Sequence, residues 1–566
     1  MEKRWKIQKH NRDAAKRLAA ELNVSPLLAA LLIARGFDNP ESANKFLNPS
    51  LEDLHEPLLM LGMREAADRI LTAIDAKEKI LIWGDYDVDG TTGTTLLRSV
   101  IKTLGGESVF HIPNRFTEGY GVNTEALKKA KEDGVSLAIT VDCGIRSFEP
   151  LEWAKANALD VIVTDHHLSD ENRGNPPAFA VVNPNQSGCK YPDKHLAGVG
   201  VAFKLAHVLL RERGRAELLP DLLKITAIGT VADIMKLTGE NRAIVALGLR
   251  DLPGTKNPGM KALMEVADCR SDMTSYHIGF RIAPRINAAG RMDIARHVVD
   301  LFECEDFNEA RKLAGLLDAR NRERQKMQQQ ITELALQETG AAGESHFVVV
   351  AGEGWHRGVI GLAASRIAER VYRPTIVLST ENGIAHGSAR SIGNFHLLAA
   401  MESCADLFEQ FGGHSAAAGM KLTAANIDGL RKALNEYAAG KLGDDDLIPE
   451  LNIDAHISSE TLDLKIAEDI GRLEPFGAGN TKPIFITKDL VIADEPMVMK
   501  EKHLKLRLAN ATGKRFEAVW WDGVERSKER TLAAGRCIEV AYVPEANSWQ
   551  GNTRLQLVVQ DVREHN

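Results

Sequence analysis

The chain has 566 residues, of which 44% are hydrophobic and 26% charged, with a net charge of -8 and an isoelectric point of about 6.1. That length exceeds one core and predicts about two to four domains of a soluble globular protein. The mild acidity excludes a uniformly basic nucleic-acid coat and leaves room for a local basic groove.

The opening MEKRWKIQKHNRDAAKRLAAEL has basic residues with no apolar run behind them, so no secretory signal is expected. No uncharged run approaches the ~18–20 apolar residues of a membrane span. The six cysteines are scattered without a CxxC pair, which predicts reduced thiols and a cytoplasmic location, not a disulfide frame or a zinc knuckle.

Residues 1–50 read as an N-terminal helical segment with turns at NVSP and FDNPES. In 51–305, short apolar runs alternate with helical patterns: KILIWG (79–84), SVFHIP (108–113), SLAITVD (136–142), DVIVTD (160–165) and AFAVVN (178–183) read as buried strands. The alternation predicts an α/β fold with a parallel sheet and crossover helices. Residues 196–300 are mostly helical, and 306–338 read as one long, charged, solvated connecting helix. A second α/β pattern covers 339–442. The acidic stretch GKLGDDDLIPE (440–450) marks a boundary, and the strand-rich remainder, 451–566, predicts a small barrel.

The stretch ILIWGDYDVDG sets Asp85, Asp87 and Asp89 at alternate positions between a strand and a helix expected to begin near Thr91. Like charges this close repel. Two more strands end in the same way: AITVDCG delivers Asp142, and VIVTDHH delivers Asp165, His166 and His167. Ligands of doubly wound sheets sit beyond the carboxyl ends of the strands, so five or six oxygen and imidazole donors converge on one cleft. A cation turns that repulsion into coordination. Carboxylates with histidine and no thiolate favour Mg2+ or Mn2+ over zinc. The set suits two-metal phosphoryl chemistry, in which water activated by the metals attacks a phosphodiester in line.

GDYDVDG, VDCG, VTDHH and GTVADIMKL stand in the order of the four motifs of the DHH phosphoesterase superfamily, and FGGHSAAAGM (411–420) resembles the glycine-glycine-histidine signature of its associated DHHA1 domain. The strand-rich tail and RIAPRINAAGRM (281–292) resemble one branch of that superfamily, the bacterial single-strand-specific 5'→3' DNA exonucleases. The resemblance implies two α/β domains, DHH and DHHA1, joined by a long helix, plus a C-terminal OB-like barrel. It implies metal roles for Asp87, Asp89, Asp142, His166 and Asp233, with Asp142 bridging both ions and Asp85 and His167 beside them. Some relatives carry a histidine where this chain has Trp83, which cannot ligate; Asp85 is the expected substitute.

Gly412 and Gly413 let backbone N–H groups approach a phosphate, with His414 available to the scissile group. By resemblance, Arg115, Tyr120, Ser388 and Arg390 contact the 5'-terminal phosphate and nearby backbone. His356, Arg357, Arg281, Arg285, Arg291 and Asn287 are further candidates to line a channel between the two α/β domains, too narrow for duplex; the planar fork of arginine suits phosphate oxygens. In the barrel, HLKLRLAN alternates Lys505 and Arg507 with leucines, and Trp520, Trp521 and Trp549 lie nearby, a pattern that suits single-stranded nucleic acid, with one of the paired tryptophans in the core.

The expected activity is release of 5'-mononucleotides from single-stranded DNA with a free 5' end, in DNA repair and recombination. The expected partners are single-stranded-DNA-binding protein and a DNA helicase. A small-molecule or oligonucleotide phosphodiesterase of the superfamily and a non-catalytic replication scaffold are the alternatives.

Overall fold

The run KILIWG forms the strand Lys79–Gly84, apolar toward both faces, as a strand covered on both sides of a parallel sheet must be. The sheet runs Glu107–His111, Lys79–Gly84, Val135–Val141, Asp160–Thr164, Ala180–Val182, with every pair parallel. Successive side chains take opposite faces. Ile80 and Ile82 pack with the helices Met63–Asp75, Val88–Thr103 and Gly198–Glu212, whereas Leu81 and Trp83 pack with Thr124–Glu132 and Phe148–Ala156. The strand order reverses between Lys79–Gly84 and Val135–Val141. In such sheets the crevice beyond the carboxyl ends at that reversal binds ligand.

The structure, a computed structural model, describes residues 3–564 apart from 116, 293–294, 342–344, 529 and 550. The chain divides into two units. One comprises Arg12–Asn321 with Gly471–Lys482; the other comprises Met1–Asn11, Arg322–Ile470 and Pro483–Asn566. The second unit holds a five-stranded sheet ordered Gln410–Gly413, Ala417–Thr423, Ile384–Arg390, Thr375–Glu381, Val348–Glu353, in which only the last pair is parallel. It also holds a barrel. Phe485–Ile492 pairs with Cys537–Trp549, and pairing continues through Asn552–Glu564, Arg515–Trp520 and His503–Ala509 back to Phe485–Ile492, the closed five-stranded form of an OB-like fold. Among the described residues no single helix is long and apolar enough to cross a membrane.

Three readings of the sequence need correction. The first 50 residues are not all helical: Arg4–Ile7 is a strand parallel to Glu450–Ile453, pinned by Trp5 Nε1 donating to Asp561 Oδ2 at 2.7 Å. A four-residue strand shows no measurable period, and its partner lies far along the chain. The long helix, Phe307–Ala341, is not a solvated linker: Ala310, Ala314 and Leu317 are buried in the first unit's core, and Ile331 and Ala335 in a core of the second. The stretch 451–566 is not one body, because Gly471–Lys482 leaves it to join the first unit.

Candidate active site

Asp85, Asp142 and Asp165 each follow a strand and line up at its end. The backbone N–H of Asp85 donates to Val141 O at 3.2 Å, that of Asp142 to Thr164 O at 3.0 Å, and that of Asp165 to Val182 O at 3.2 Å. The first helix after this edge begins at Val88, earlier than the sequence pattern suggests, because Asp87 caps it and accepts from Gly90 N at 3.0 Å. Asp89 therefore lies in the first turn, fully buried, and its two oxygens accept from Gly198 N at 2.6 Å and Val199 N at 2.7 Å. Asp142 adopts φ 62, a left-handed conformation uncommon for a residue with a side chain and found at functional turns. Gly198 is required beside it, since a Cβ there would come within 2.5 Å of Asp142 Cβ.

These turns converge on His166. Its Nε2 lies 3.2 Å from Asp142 Oδ1, 3.6 Å from Asp233 Oδ2 and 3.9 Å from Asp89 Oδ2. Asp233 is the C-cap of the helix Leu219–Ala232. Donor atoms of Asp85, Asp87 and Asp142 lie within 4.8 Å of one another, as do those of Asp89, His166 and Asp233, and those of Asp142, His166 and His167. Asp85 Oδ1, Asp142 Oδ1, His166 Nε2 and Asp233 Oδ2 are buried without a hydrogen-bond partner. Buried polar atoms are almost always satisfied, so four orphans facing one another mark a place for cations. Their chemistry, oxygen with one or two imidazoles and no thiolate, fits Mn2+ or Mg2+.

The electrostatics agree. Burial first, then the charge of Asp87, pushes Asp85 up to about 8 and Asp89 to about 7; burial and the neighbouring carboxylates push Asp233 to about 9 and Asp142 well above the carboxylate range. Burial lowers His166 to about 4, which leaves its imidazole neutral and able to ligate. For His167 burial pulls downward, yet the hydrogen bond that Nδ1 donates to Asp165 Oδ1, at 2.7 Å, wins and raises its pKa.

Some supporting groups carry little sequence signal. Asp165 accepts from His166 N, His167 N and Ile145 N. Asn183 Nδ2 donates to His167 O at 2.9 Å, and Asn185 Nδ2 to His166 O at 2.6 Å. The NPN following the last strand was the available hint.

Of the expected phosphate-binding residues, Arg115 stacks 4.1 Å over the Tyr86 ring, and Tyr120 Oη donates to Asp142 O at 3.3 Å, so both adjoin the carboxylates. Asn287 and Arg291 lie on the helix Ala283–Arg291, which runs against the same loop: a Cβ on Gly290 would reach within 2.4 Å of Tyr86 O. Arg281 and Arg285 each have partners within the protein, and those of Arg285 differ from expectation. Arg281 donates to Asp268 O at 2.8 Å, and Arg285 is engaged by Asp318 Oδ1 at 2.9 Å, Arg281 O and Val266 O, so its guanidinium braces helices.

In the second unit, Arg390 Nη1 donates to Ser388 Oγ and its Nε to Ser365 Oγ, both at 3.1 Å. His356 caps Arg357–Val371, and Arg357 pairs with Glu381 at 3.3 Å. Gly412 and Gly413 end the exposed strand before the exposed His414. In the barrel Lys505 pairs with Glu517 and Arg507 with Asp494, both at 3.2 Å, which neutralises the basic face expected there. Trp520 is core and Trp521 exposed; the side chain of Trp549 lies outside the described residues.

The family model for the DHH family, N-terminal domain, matches residues 79–230, that for the DHHA1 domain 344–440, and that for the RecJ OB domain 453–561. The chain is 41% identical to the single-stranded-DNA-specific exonuclease RecJ of Bacillus subtilis over 99% of its own length and 70% of the relative's. It is 34% identical to the protein of that name from Dickeya dadantii, over 96% and 98%. The crystal structure of RecJ with Mn2+ from Thermus thermophilus superposes with a TM-score of 0.85 at 30% identity, covering 100% of this chain and 80% of that one. Identity sustained across nearly the whole chain, with three family models in the same order, shows that the chain belongs to the RecJ family.

Proposed function

We propose that the chain is a single-stranded-DNA-specific 5'→3' exonuclease that releases 5'-mononucleotides, using two Mn2+ or Mg2+ ions, in DNA repair and recombination. The observation that carries this reading is the set of four buried, unpartnered donors on Asp85, Asp142, His166 and Asp233. Asp85, Asp87, Asp89, Asp142, His166 and Asp233 would hold the ions, with Asp142 the donor common to the group it forms with Asp85 and Asp87 and the group it forms with His166 and His167. When bound, the metal ions neutralise the phosphodiester and lower the pKa of an attacking water. Asp165 orients His167, and the two asparagines fix the backbone of both histidines. Arg115 and Tyr120 hold the nucleic-acid backbone beside the carboxylates, while Ser388 and Arg390 take the 5' phosphate and His414 the scissile group. Intact donors at every position disfavour a non-catalytic scaffold. The barrel and the arginine motif exceed what a dinucleotide hydrolase needs.

The N-terminal segment spans 1–50, the catalytic domain 51–305, the connecting helix 306–338, the DHHA1 domain 339–442 and the OB-like domain 451–566, from which Gly471–Lys482 departs to the first unit. A cytoplasmic location follows from work on chromosomal DNA. Single-stranded-DNA-binding protein and a helicase that exposes the strand are the protein partners suited to this activity.

The test is single-stranded DNA labelled at either end, with Mn2+ or Mg2+. A 5' label should appear at once as mononucleotide and a 3'-labelled strand should shorten stepwise. Blunt duplex should resist, since unstacking takes about 1.4 kcal/mol per base-pair step. Early mononucleotide from the 3' end would reverse the polarity. Inert strands with rapid hydrolysis of a dinucleotide would transfer the activity to small substrates.

A further inference from the structure

Asp233 reaches the metal donors through a strained connection. It caps Leu219–Ala232, and the next residue, Ile234, stands at φ 58. A left-handed β-branched residue is an outlier that persists only where its surroundings over-determine it. Ile234 is 75% exposed, so its own packing does not hold it. The turn at the helix end holds it locally, with Ile234 N donating to Val231 O at 3.2 Å and Met235 N to Thr230 O at 3.3 Å. A second restraint, on the path that follows, lies downstream in Lys236–Thr238, which leads into the helix Gly239–Asp251.

That restraint comes from Gly471–Lys482. Leu237 N donates to Ala478 O at 2.8 Å. Gly477 lies so close to Leu237 that a Cβ would meet Leu237 Cδ1 at 2.7 Å, and a Cβ on Gly479 would lie 3.3 Å from Lys236 Cβ. The segment is tied down by two arginines that donate to its neutral oxygens. Arg242, buried and lying 3.6 Å over the Phe46 ring, donates to Leu473 O at 3.0 Å, Glu474 O at 2.7 Å and Pro475 O at 3.4 Å. Arg35 Nε donates to Asn480 Oδ1 at 3.0 Å, while Asn480 Nδ2 donates to Leu473 O at 2.8 Å and Pro475 O at 2.9 Å. A buried guanidinium satisfied by three carbonyls of one segment fixes that segment's path. Asn241, beside Arg242, closes the arrangement from the other side by donating to Lys236 O at 3.2 Å.

We infer that Gly471–Lys482 is a strap of the catalytic unit, although it falls inside the stretch matched by the barrel's family model, and that Asn480, Gly477 and Arg242 are positioning residues which hold Asp233 on its metal ion through Leu237. The inference rests on the proposed role of Asp233 as a ligand. Residues that orient metal ligands typically change metal affinity or activity by about 10- to 100-fold when lost.

The experiment uses the full chain with Asn480→Ala and Gly477→Val, Mn2+ binding followed by the electron paramagnetic resonance of free Mn2+. One of the two Mn2+ sites should weaken by about tenfold or more, kcat should fall at low Mn2+ and recover at saturating Mn2+, and the Kd for single-stranded DNA in Ca2+ should not move. Ile70→Ala, or Ile70→Val if it matches the Tm loss better, controls for general destabilisation and should leave both Mn2+ affinities as in the wild type. Unchanged Mn2+ affinities in both strap variants, or equal losses in the control, would overturn the strap. A wild-type chain that binds neither ion would instead bring down the metal reading beneath it, and the strap with it.

Discussion

His166 Nε2 and Asp142 Oδ1 lie 3.2 Å apart, both buried, and neither makes a hydrogen bond. With the histidine pKa lowered to about 4 by burial, a neutral imidazole faces an oxygen ringed by other carboxylates. A cation between them would make that contact favourable in the ionised site. Asp142→Asn keeps the shape and removes the charge. Hydrolysis should fall by several kcal/mol of transition-state stabilisation, about a thousandfold or more, while circular dichroism and binding of single-stranded DNA stay near wild type. Turnover within tenfold of wild type would remove Asp142 from the centre of the site.

Chelation should expose the same crowding as a pH dependence. Asp89, Asp85 and Asp233 have folded pKa values raised to about 7, 8 and 9, against about 3.9 in an unfolded chain. A raised pKa means that protons favour the folded state. The stabilisation is fully present below about pH 4 and is lost as pH climbs through 7 to 9. The Tm of the chelated protein should therefore drop across that range. Mn2+ should restore it strongly at pH 8 and weakly at pH 5, where protons hold the ligands. A chelated Tm that rises between pH 6 and 9 would contradict the crowding of the carboxylates.

The parallel sheet and the donors at its edge were legible in the sequence because buried strands write continuous apolar runs, and a strand-end carboxylate has few other uses in such numbers. Asp85, Asp87, Asp89, Asp142 and His166 meet for that reason. What holds them was not legible. The donors to Asp89 are backbone N–H groups of Gly198 and Val199, and a backbone donor leaves no side-chain signature. The strand Arg4–Ile7 and the return of Gly471–Lys482 to the first unit depend on partners distant in sequence, which local periodicity does not carry. Arg285 has the residue type of a phosphate ligand, but its carboxylate partner, Asp318, is distant in sequence and leaves no local signal.

The barrel calls for a narrower test than its alternating strand suggests. Lys505 and Arg507 are each paired with an acid, so each should contribute less than the slope of about 0.7 per phosphate contact on a single strand. Trp521 is 51% exposed and stands edge-on to His503 at 4.8 Å. Base stacking is worth about 1–3 kcal/mol, so Trp521→Ala should weaken binding of long strands about 5- to 150-fold and leave the salt slope unchanged. Unaltered binding, measured by fluorescence anisotropy, would assign that face to a protein partner.

Arg390 should decide how the strand end is read. Its guanidinium is held by Ser365 and Ser388 hydroxyls and by Ala389 O, burial lowers its pKa, and among the described residues no carboxylate is within ion-pair distance. A partly buried cation held only by neutral groups is arranged for an anion from outside the protein. If that anion is the 5'-terminal phosphate, Arg390→Ala removes a charged hydrogen bond of about 1.5–3 kcal/mol. The value of kcat/KM on 5'-phosphorylated strands should then fall about tenfold to a hundredfold. Strands with a 5' hydroxyl lack the group that Arg390 grips, so the same variant should lose far less on them. Arg390→Lys should recover part of the loss, since it restores the charge without the two-pronged geometry. Equal losses on both kinds of end would mean that Arg390 supports the domain without reading the terminal phosphate.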